Sequence, residues 1–387
     1  MEETRIEQLQ DFLIKNGCDL AVIHLNENVV MFTNGYWPRN GLSFVVIPAE
    51  GMPSLVIPDP EKEDIAQLKA YDVYTYGTVL LSAGSEYTNL INAFKSIKRK
   101  YSLPDNAIIG YEKYASAVSP SLCDGEYHLI NKETESAIID GFQGVLAVDV
   151  EEFIQDIRSC KNEQEVEKIK KANKLGYEGL SLAQDILNKD EKVTEIQLAS
   201  MIEGYIACSA EKYGVKYARA WAQITSGIRT VDAWKAGVVT SSKLITDGDF
   251  VMIELCVSAD GYFADLTSTY YKGNLDNTKH EILQLVKKSQ EAALNELGEG
   301  KKASNAFLAA KKVCDDAGYG ESFLHGIGHG TGFVYHDGKP GLGPNSKDVF
   351  KAGMIHSVEP GLYIPKIGGV RFEMNVLETK NGYEILK

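Results

Sequence analysis

The stretch GDFVMIELCVSADGYFADLTSTYYKG, residues 248–273, decides the fold of this chain. Asp260-Gly261 between two β-rich runs is a strong signal for a two-residue hairpin, whose central residues both need positive φ. Pairing Ala259 with Tyr262 puts Glu254 opposite Thr267 and Asp265 opposite Cys256. The two acids then share one face of the hairpin, set diagonally at about 7–8 Å along the backbone. Val251, Ile253 and Leu255 alternate with Met252 and Glu254, so both faces of the strand read as buried. Two carboxylates so close and so dry repel one another unless a cation lies between them.

A second stretch, GMIHSVEPGLYIPKIGGVRFEMNVLE at 353–378, repeats the plan. Gly248 stands six residues before Glu254, and Gly353 six before Glu359. Each acid ends an apolar run, and each stretch carries a second acid further on, Asp265 and Glu373. Alternation in GVRFEMNVL places Arg371 and Glu373 on one face, where a charged hydrogen bond between them is expected. Between the two stretches lies FLHGIGHGTGFVYHDG, residues 323–338, too rich in glycine for a stable helix. In an extended chain a spacing of four puts His325 and His329 on one side. Gly326, Gly328, Gly330 and Gly332 leave the other side bare for close approach of backbone or ligand.

His336 follows seven residues after His329, so three of the chain's seven histidines fall within twelve residues. With four acids nearby they mark a metal or catalytic site. One His with four carboxylates is a hard, oxygen-rich set, better suited to manganese, iron or cobalt than to a structural zinc. It exceeds what one ion usually takes from protein, and a two-metal site holding a bridging hydroxide is the economical reading.

At 387 residues the chain has room for two or three domains of about 100–200 residues each. Residues 1–157 read as a small α/β unit. An amphipathic helix with Ile6, Leu9, Phe12 and Leu13 stops at Asn16-Gly17. Strand-like runs follow at LAVIHL, VVMFT, LSFVVIP, SLVIP, DVYTY and AIIGY, with a helical stretch at 61–69 and another at 149–158. Residues 158–387 alternate two helix pairs with the two strand-rich stretches. Thr194-x-x-Gln197 and Thr278-x-x-Glu281 both fit the capping box at helix starts.

The net charge of −14 gives no electrostatic case for nucleic acid or an anionic membrane. The basic cluster Lys95, Lys98, Arg99 and Lys100 reads as a solvated helix face. No apolar run reaches the roughly 18 residues of a membrane span, and the acidic start is unlike a secretory signal. Six cysteines, at least 37 residues apart and without a C-x-x-C pair, fit reduced thiols and a cytoplasmic protein. In NGYWPRNG, residues 34–41, the side chains of Tyr36, Trp37 and Arg39 suit an interface or substrate rim, and ordinary packed aromatics equally well.

The motifs GDFVMIEL, GYFADLTST, HGIGHGTGF, VYHD, SVEPGLYIP and GVRFE, in this order and spacing, resemble the "pita-bread" metallopeptidase family of methionine aminopeptidase, aminopeptidase P, prolidase and creatinase. The segment IRSCKNEQEVEKIKKAN is similar to the interdomain helix of the aminopeptidase P, prolidase and creatinase branch. The resemblance implies an α/β (α+β) fold. Its C-terminal domain would consist of two pseudo-duplicated halves with a curved antiparallel sheet, preceded by the smaller α/β domain. It implies one or two divalent ions (manganese preferred among manganese, cobalt, iron and zinc) held by Glu254, Asp265, His329, Glu359 and Glu373. Asp265 and Glu373 would bridge, with Arg371 behind the ligands. His325 and His336 would contact the substrate, Glu359 would accept a proton, and the protein would form a homodimer.

Three features depart from the family pattern. Its peptidases carry Asp where this chain has Glu254, and a catalytic His about seventeen residues earlier, where this chain has Gly237. No His occurs between Leu129 and Lys279, and the usual T-R-T reads Thr267-Ser268-Thr269. The expected activity is that of a metal-dependent hydrolase resembling Xaa-Pro aminopeptidase or prolidase, acting on a short peptide or small amide. Two alternatives stay open: creatinase-like C–N hydrolysis or a lyase reaction, and a catalytically silent peptide-binding module. The extra methylene of Glu254 also predicts that two ions bind unequally.

Overall fold

The computed structural model describes residues 4–38, 41–65, 68–77, 85–113, 132–189, 191–235 and 238–387. They form two compact units, one ending at Arg158 and the other running from Ser159 to Lys387. No helix among the described residues is long and apolar enough to cross a membrane.

The first unit is built on a mixed six-stranded sheet in the order Asp72–Tyr76, Ser54–Pro58, Phe44–Pro48, Leu20–Ile23, Ile108–Tyr111, Val145–Asp149. Three of the four inner strands, Ser54–Pro58, Phe44–Pro48 and Leu20–Ile23, are buried along their whole length, which is why their sequences are continuous apolar runs rather than alternations. Phe44, Phe94 and Phe142 join sheet and helices in one core. Val145–Asp149, absent from the sequence reading, is a half-exposed edge strand.

VVMFT is not a strand but most of the helix Asn26–Phe32. Its start has no side-chain cap of its own. Instead Glu112, at the end of a neighbouring strand, accepts the backbone N–H groups of His24 and Leu25 at 2.6 and 2.8 Å and the amide of Asn28. A buried carboxylate at a helix N-terminus satisfies donors that are otherwise orphaned and favours the helix dipole. The helical stretch expected at 61–69 is a short 3-10 helix, Asp59–Ile65.

The second unit contains the two expected helix pairs, Glu163–Leu187 with Glu195–Ser209 and Asn277–Leu294 with Ala303–Asp316. Each pair accompanies antiparallel strands. In the first half these are Ala218–Ser226, Phe250–Ala259 and Tyr262–Tyr271. In the second half Ile355–Val358, Met374–Thr379 and Gly382–Ile385 form a sheet, and Gly361–Ile364 pairs with Gly368–Arg371. Thr194 and Gln197 form the anticipated capping box. The cap of the third helix is Asp276 rather than Thr278. Its carboxylate accepts Lys279 N–H at 2.9 Å, and a charged cap two residues upstream carries the helix past the threonine.

Both turn residues of the first hairpin have positive φ, 49° at Asp260 and 83° at Gly261. The register follows: Ala259 faces Tyr262, Glu254 faces Thr267 and Cys256 faces Asp265. In the second half Val358 pairs with Met374 and Gly361 with Arg371, so Glu359 and Glu373 flank the break between two ladders. The glycine-rich segment lies extended beside Ile355–Val358. Glu359 N–H reaches Ile327 O, Ser357 N–H reaches His329 O and Thr331 N–H reaches Ile355 O, at 2.8, 2.9 and 3.1 Å. On its other edge Ile327 and Gly328 exchange bonds with Leu342 at 2.8 Å.

Backbone on both sides leaves no room for a side chain. A Cβ on Gly328 would stand 2.2 Å from Ser357 O, and one on Gly330 2.2 Å from Lys339 O. Gly328→Ala is therefore expected to destabilise the protein by about 1–3 kcal/mol. The check is a lower urea midpoint with an unchanged slope; a midpoint equal to that of the parent protein refutes the account.

Candidate metal centre

The paired hairpins deliver four acids and the glycine-rich strand delivers a histidine. Three overlapping groups result, each with its donor atoms within 4.8 Å of one another: Glu254, Asp265 and Glu373; His329, Glu359 and Glu373; Asp265, His329 and His336. His329 Nε2 lies 3.3 Å from Asp265 Oδ2 and 3.3 Å from Glu359 Oε1. His325 stands outside these groups, with Nε2 2.9 Å from the Tyr363 hydroxyl.

Thr267 and Thr269 tie the halves together. Glu373 N–H donates to Thr267 O at 2.8 Å, Thr269 exchanges bonds with the backbone of Arg371 at 2.8 and 3.0 Å, and Asp265 and Asn375 bond reciprocally. With its backbone fixed this way, Arg371 reaches across to the first hairpin. Nη2 donates to Glu254, Nε to Thr267 Oγ1 at 3.1 Å and Nη1 to the Tyr363 hydroxyl at 2.8 Å. The direct bond expected between Arg371 and Glu373 is absent among the described residues, because the guanidinium is directed to Glu254, Thr267 and Tyr363; the Thr267 hydroxyl lies 2.7 Å from Glu373 Oε2.

The turn that carries His336 is fastened by a fully buried ion pair, Lys161 Nζ to Asp337 Oδ2 at 3.0 Å. Asp337 also accepts Phe333 N–H at 3.3 Å. The rings of His336 and His329 then meet with centroids 4.0 Å apart.

The centre holds more acceptors than donors. Thr267 has one hydroxyl proton for two carboxylates, Glu254 at 2.8 Å and Glu373 at 2.7 Å. Glu373 Oε1 is buried with no hydrogen-bond partner among the described residues. Burial pushes the Asp265 carboxyl up to about 6 against the pull of His329. Burial, with the charges of Asp265 and Glu359, raises Glu373 well above the usual carboxylate range. Burial alone would hold His329 neutral, but its bonds to Asp265 and Glu359 raise it well above the ordinary imidazole value. Burial opposes ionisation of the partly buried Glu359, yet His329 brings its carboxyl below the usual value. An excess of buried carboxylate oxygens beside one imidazole fits a divalent cation, which replaces the protons that otherwise neutralise them.

Tyr335, Tyr363 and Thr267 complete the site although the sequence reading gave them no role. Only Thr267 carried a signal, two residues after Asp265 and therefore on the same face. Tyr36, read as either an interface or rim residue or an ordinary packed aromatic, is turned inward at 7% exposure, with its hydroxyl on Ser43 at 2.9 Å and on Glu61. Trp37 is half-buried, and Arg39 and Gly237 lie outside the described residues.

Comparison with known proteins agrees with this geometry. Residues 167–380, more than half of the chain, match metallopeptidase family M24. The chain belongs to that family, with its pita-bread fold, and is a metal-dependent peptidase of the prolidase and aminopeptidase P branch. It is 28% identical to the Xaa-Pro dipeptidase of Pyrococcus horikoshii over 98% of this chain and 95% of that one. An uncharacterized peptidase of Staphylococcus epidermidis is also 28% identical, over 99% of this chain and 98% of its own length. The crystal structure of the prolidase from Pyrococcus horikoshii superposes with a TM-score of 0.79 at 26% identity, covering 98% of this chain and 97% of that one.

A group whose pKa is raised by folding contributes stability that is fully present below its unfolded pKa and lost as pH rises toward its folded one. Asp265, Glu373 and His329 all have this sign, while Glu359, held low, titrates below the window. Metal-free protein is thus expected to lose stability between about pH 5 and about pH 7.5. A divalent ion that replaces those protons is expected to raise Tm more at the higher pH. Thermal melts with and without manganese at both values test this; an equal or smaller rise at the higher pH contradicts it.

Proposed function

We propose that this protein hydrolyses short peptides, with Xaa-Pro dipeptides as the leading substrate class and manganese as the preferred ion. The observation that carries the reading is the convergence of His329, Glu359 and Glu373, beside Asp265, in a buried centre bordered by two further histidines. A divalent ion bound by these side chains would polarise the amide carbonyl and make water a stronger acid.

The chain's own groups supply the rest. Glu359 is ionised at neutral pH because His329 holds its carboxyl low, and Ser357 Oγ orients it at 3.1 Å, so it is the acceptor for the proton of the attacking water. His336, packed against His329 and Tyr335, donates to the oxygen on which charge develops. His325, held by Tyr363, orients the substrate from the rim. A second reading is favoured by the side chain of Glu254, tied to Arg371 and Tyr335: cleavage of a non-peptide C–N or C–S bond on the same scaffold.

The deciding experiment strips the protein of metal, reloads it with manganese, cobalt, iron or zinc, and offers Xaa-Pro dipeptides, tripeptides and small non-peptide amides. Dipeptide hydrolysis is expected, highest with manganese, and Glu359→Gln is expected to lower kcat by about 10²-fold or more. No peptide turnover with any metal refutes the reading, and turnover confined to the non-peptide substrates establishes the second.

We also propose a cytoplasmic homodimer, on the cysteine spacing and the family resemblance. Light scattering at micromolar concentration is expected to give twice the chain mass of 42.6 kDa, and a monomer overturns the dimer.

A further inference from the structure

We propose that Tyr335 closes one of the two cation positions of the centre, so that each chain holds a single divalent ion bound by Asp265, His329, Glu359 and Glu373. This inference rests on the metal centre proposed above and concerns how many ions it takes.

The two positions differ in what already fills them. Around His329 the acceptors outnumber the donors, and Glu373 Oε1 has no hydrogen-bond partner among the described residues. Around Glu254 both carboxylate oxygens are engaged. Oε2 receives Arg371 Nη2 and lies 2.8 Å from the Thr267 hydroxyl, whose one proton it shares with Glu373, and Oε1 receives the hydroxyl of Tyr335. The guanidinium of Arg371 is almost fully buried, so its charge is matched by a carboxylate at contact rather than by solvent. A divalent ion seated on Glu254 would stand against that fixed positive charge and would have to expel the phenol.

Tyr335 is placed there by structure rather than by chance of rotamer. Its ring is buried at 7% exposure and meets His336 with centroids 4.3 Å apart. The turn bearing it is pinned by the buried Lys161–Asp337 pair. The Tyr335 hydroxyl binds Glu254, whose donor atom lies within 4.8 Å of those of Asp265 and Glu373, the other two acids that would enclose the ion. Glu254 is long enough to meet Tyr335 and Arg371 together. Tyr335 is therefore a positioning residue, a hydroxyl donor occupying the Glu254 oxygen that a cation would otherwise take.

The test counts ions. Metal-stripped protein is titrated with manganese by calorimetry, bound metal is counted by elemental analysis, and the electron paramagnetic resonance spectrum separates isolated ions from exchange-coupled pairs. The parent protein is expected to bind one manganese per chain and show an isolated-ion spectrum. Tyr335→Phe keeps the ring and removes the hydroxyl; a second ion is expected to bind at least tenfold more tightly, with a coupled spectrum. Glu254→Asp draws the carboxylate back from both partners and is expected to act in the same direction, which decides the matter if the first variant does not fold.

Two equally tight ions in the parent, or no gain for a second ion in either folded variant, overturns the proposal. Dipeptide hydrolysis measured in parallel keeps the readings separate. One ion without hydrolysis removes the substrate assignment alone, hydrolysis with two equal ions removes this inference alone, and no bound ion removes both.

Discussion

Four carboxylates brought to one buried point are the constraint around which the second unit is organised. Like charges at this separation in a dry site cannot all ionise unaided, so each must be answered by a proton, a fixed cation or a bound ion. The chain supplies the fixed cation through Arg371, whose guanidinium spans from one hairpin to the other and makes three different side-chain contacts. It supplies a proton through His329, held between Asp265 and Glu359. What is left over is acceptor capacity, and the family's metal dependence is the chemical expression of that surplus. Thr267 and Thr269 matter because they lock the register between the two halves; a shift of one residue would turn the acids to the opposite face.

Much of this was legible before any coordinates. Asp260-Gly261 and a period of two determined which residues face which, because hairpin register depends on the turn and on alternation, both local properties. The glycines of HGIGHGTG announced close backbone approach for the same reason: absence of a side chain is itself a local fact. The acids and His329 could be grouped because each lies within a few residues of such a signal.

What escaped the sequence depended on contacts between segments far apart in the chain. Arg371 and Glu373 do share a strand face, but the side-chain bond of Arg371 goes to Glu254, 117 positions away, since the other hairpin presents a carboxylate at the reach of a guanidinium. Tyr335 precedes His336 in a turn of irregular backbone, where no periodicity tells which way a ring points. Thr278 fitted a capping pattern but lost to Asp276, whose charge makes the stronger cap. VVMFT has the composition of a strand, and the carboxylate that caps its helix lies 87 positions from Leu25.

That last contact bears on the order of events during synthesis. The start of the helix Asn26–Phe32 precedes its cap in the chain by more than 80 residues, so its N-terminal N–H groups lack their carboxylate until synthesis has passed Glu112. Chains fold as they are made, N-terminal parts first, and exposed apolar segments are where misassembly begins. For this stretch the vectorial rule fails, because a residue near the end of the sheet closes a structure near its beginning. The nascent chain carries unanswered backbone donors at this helix start through most of the first unit, and Glu112 satisfies them.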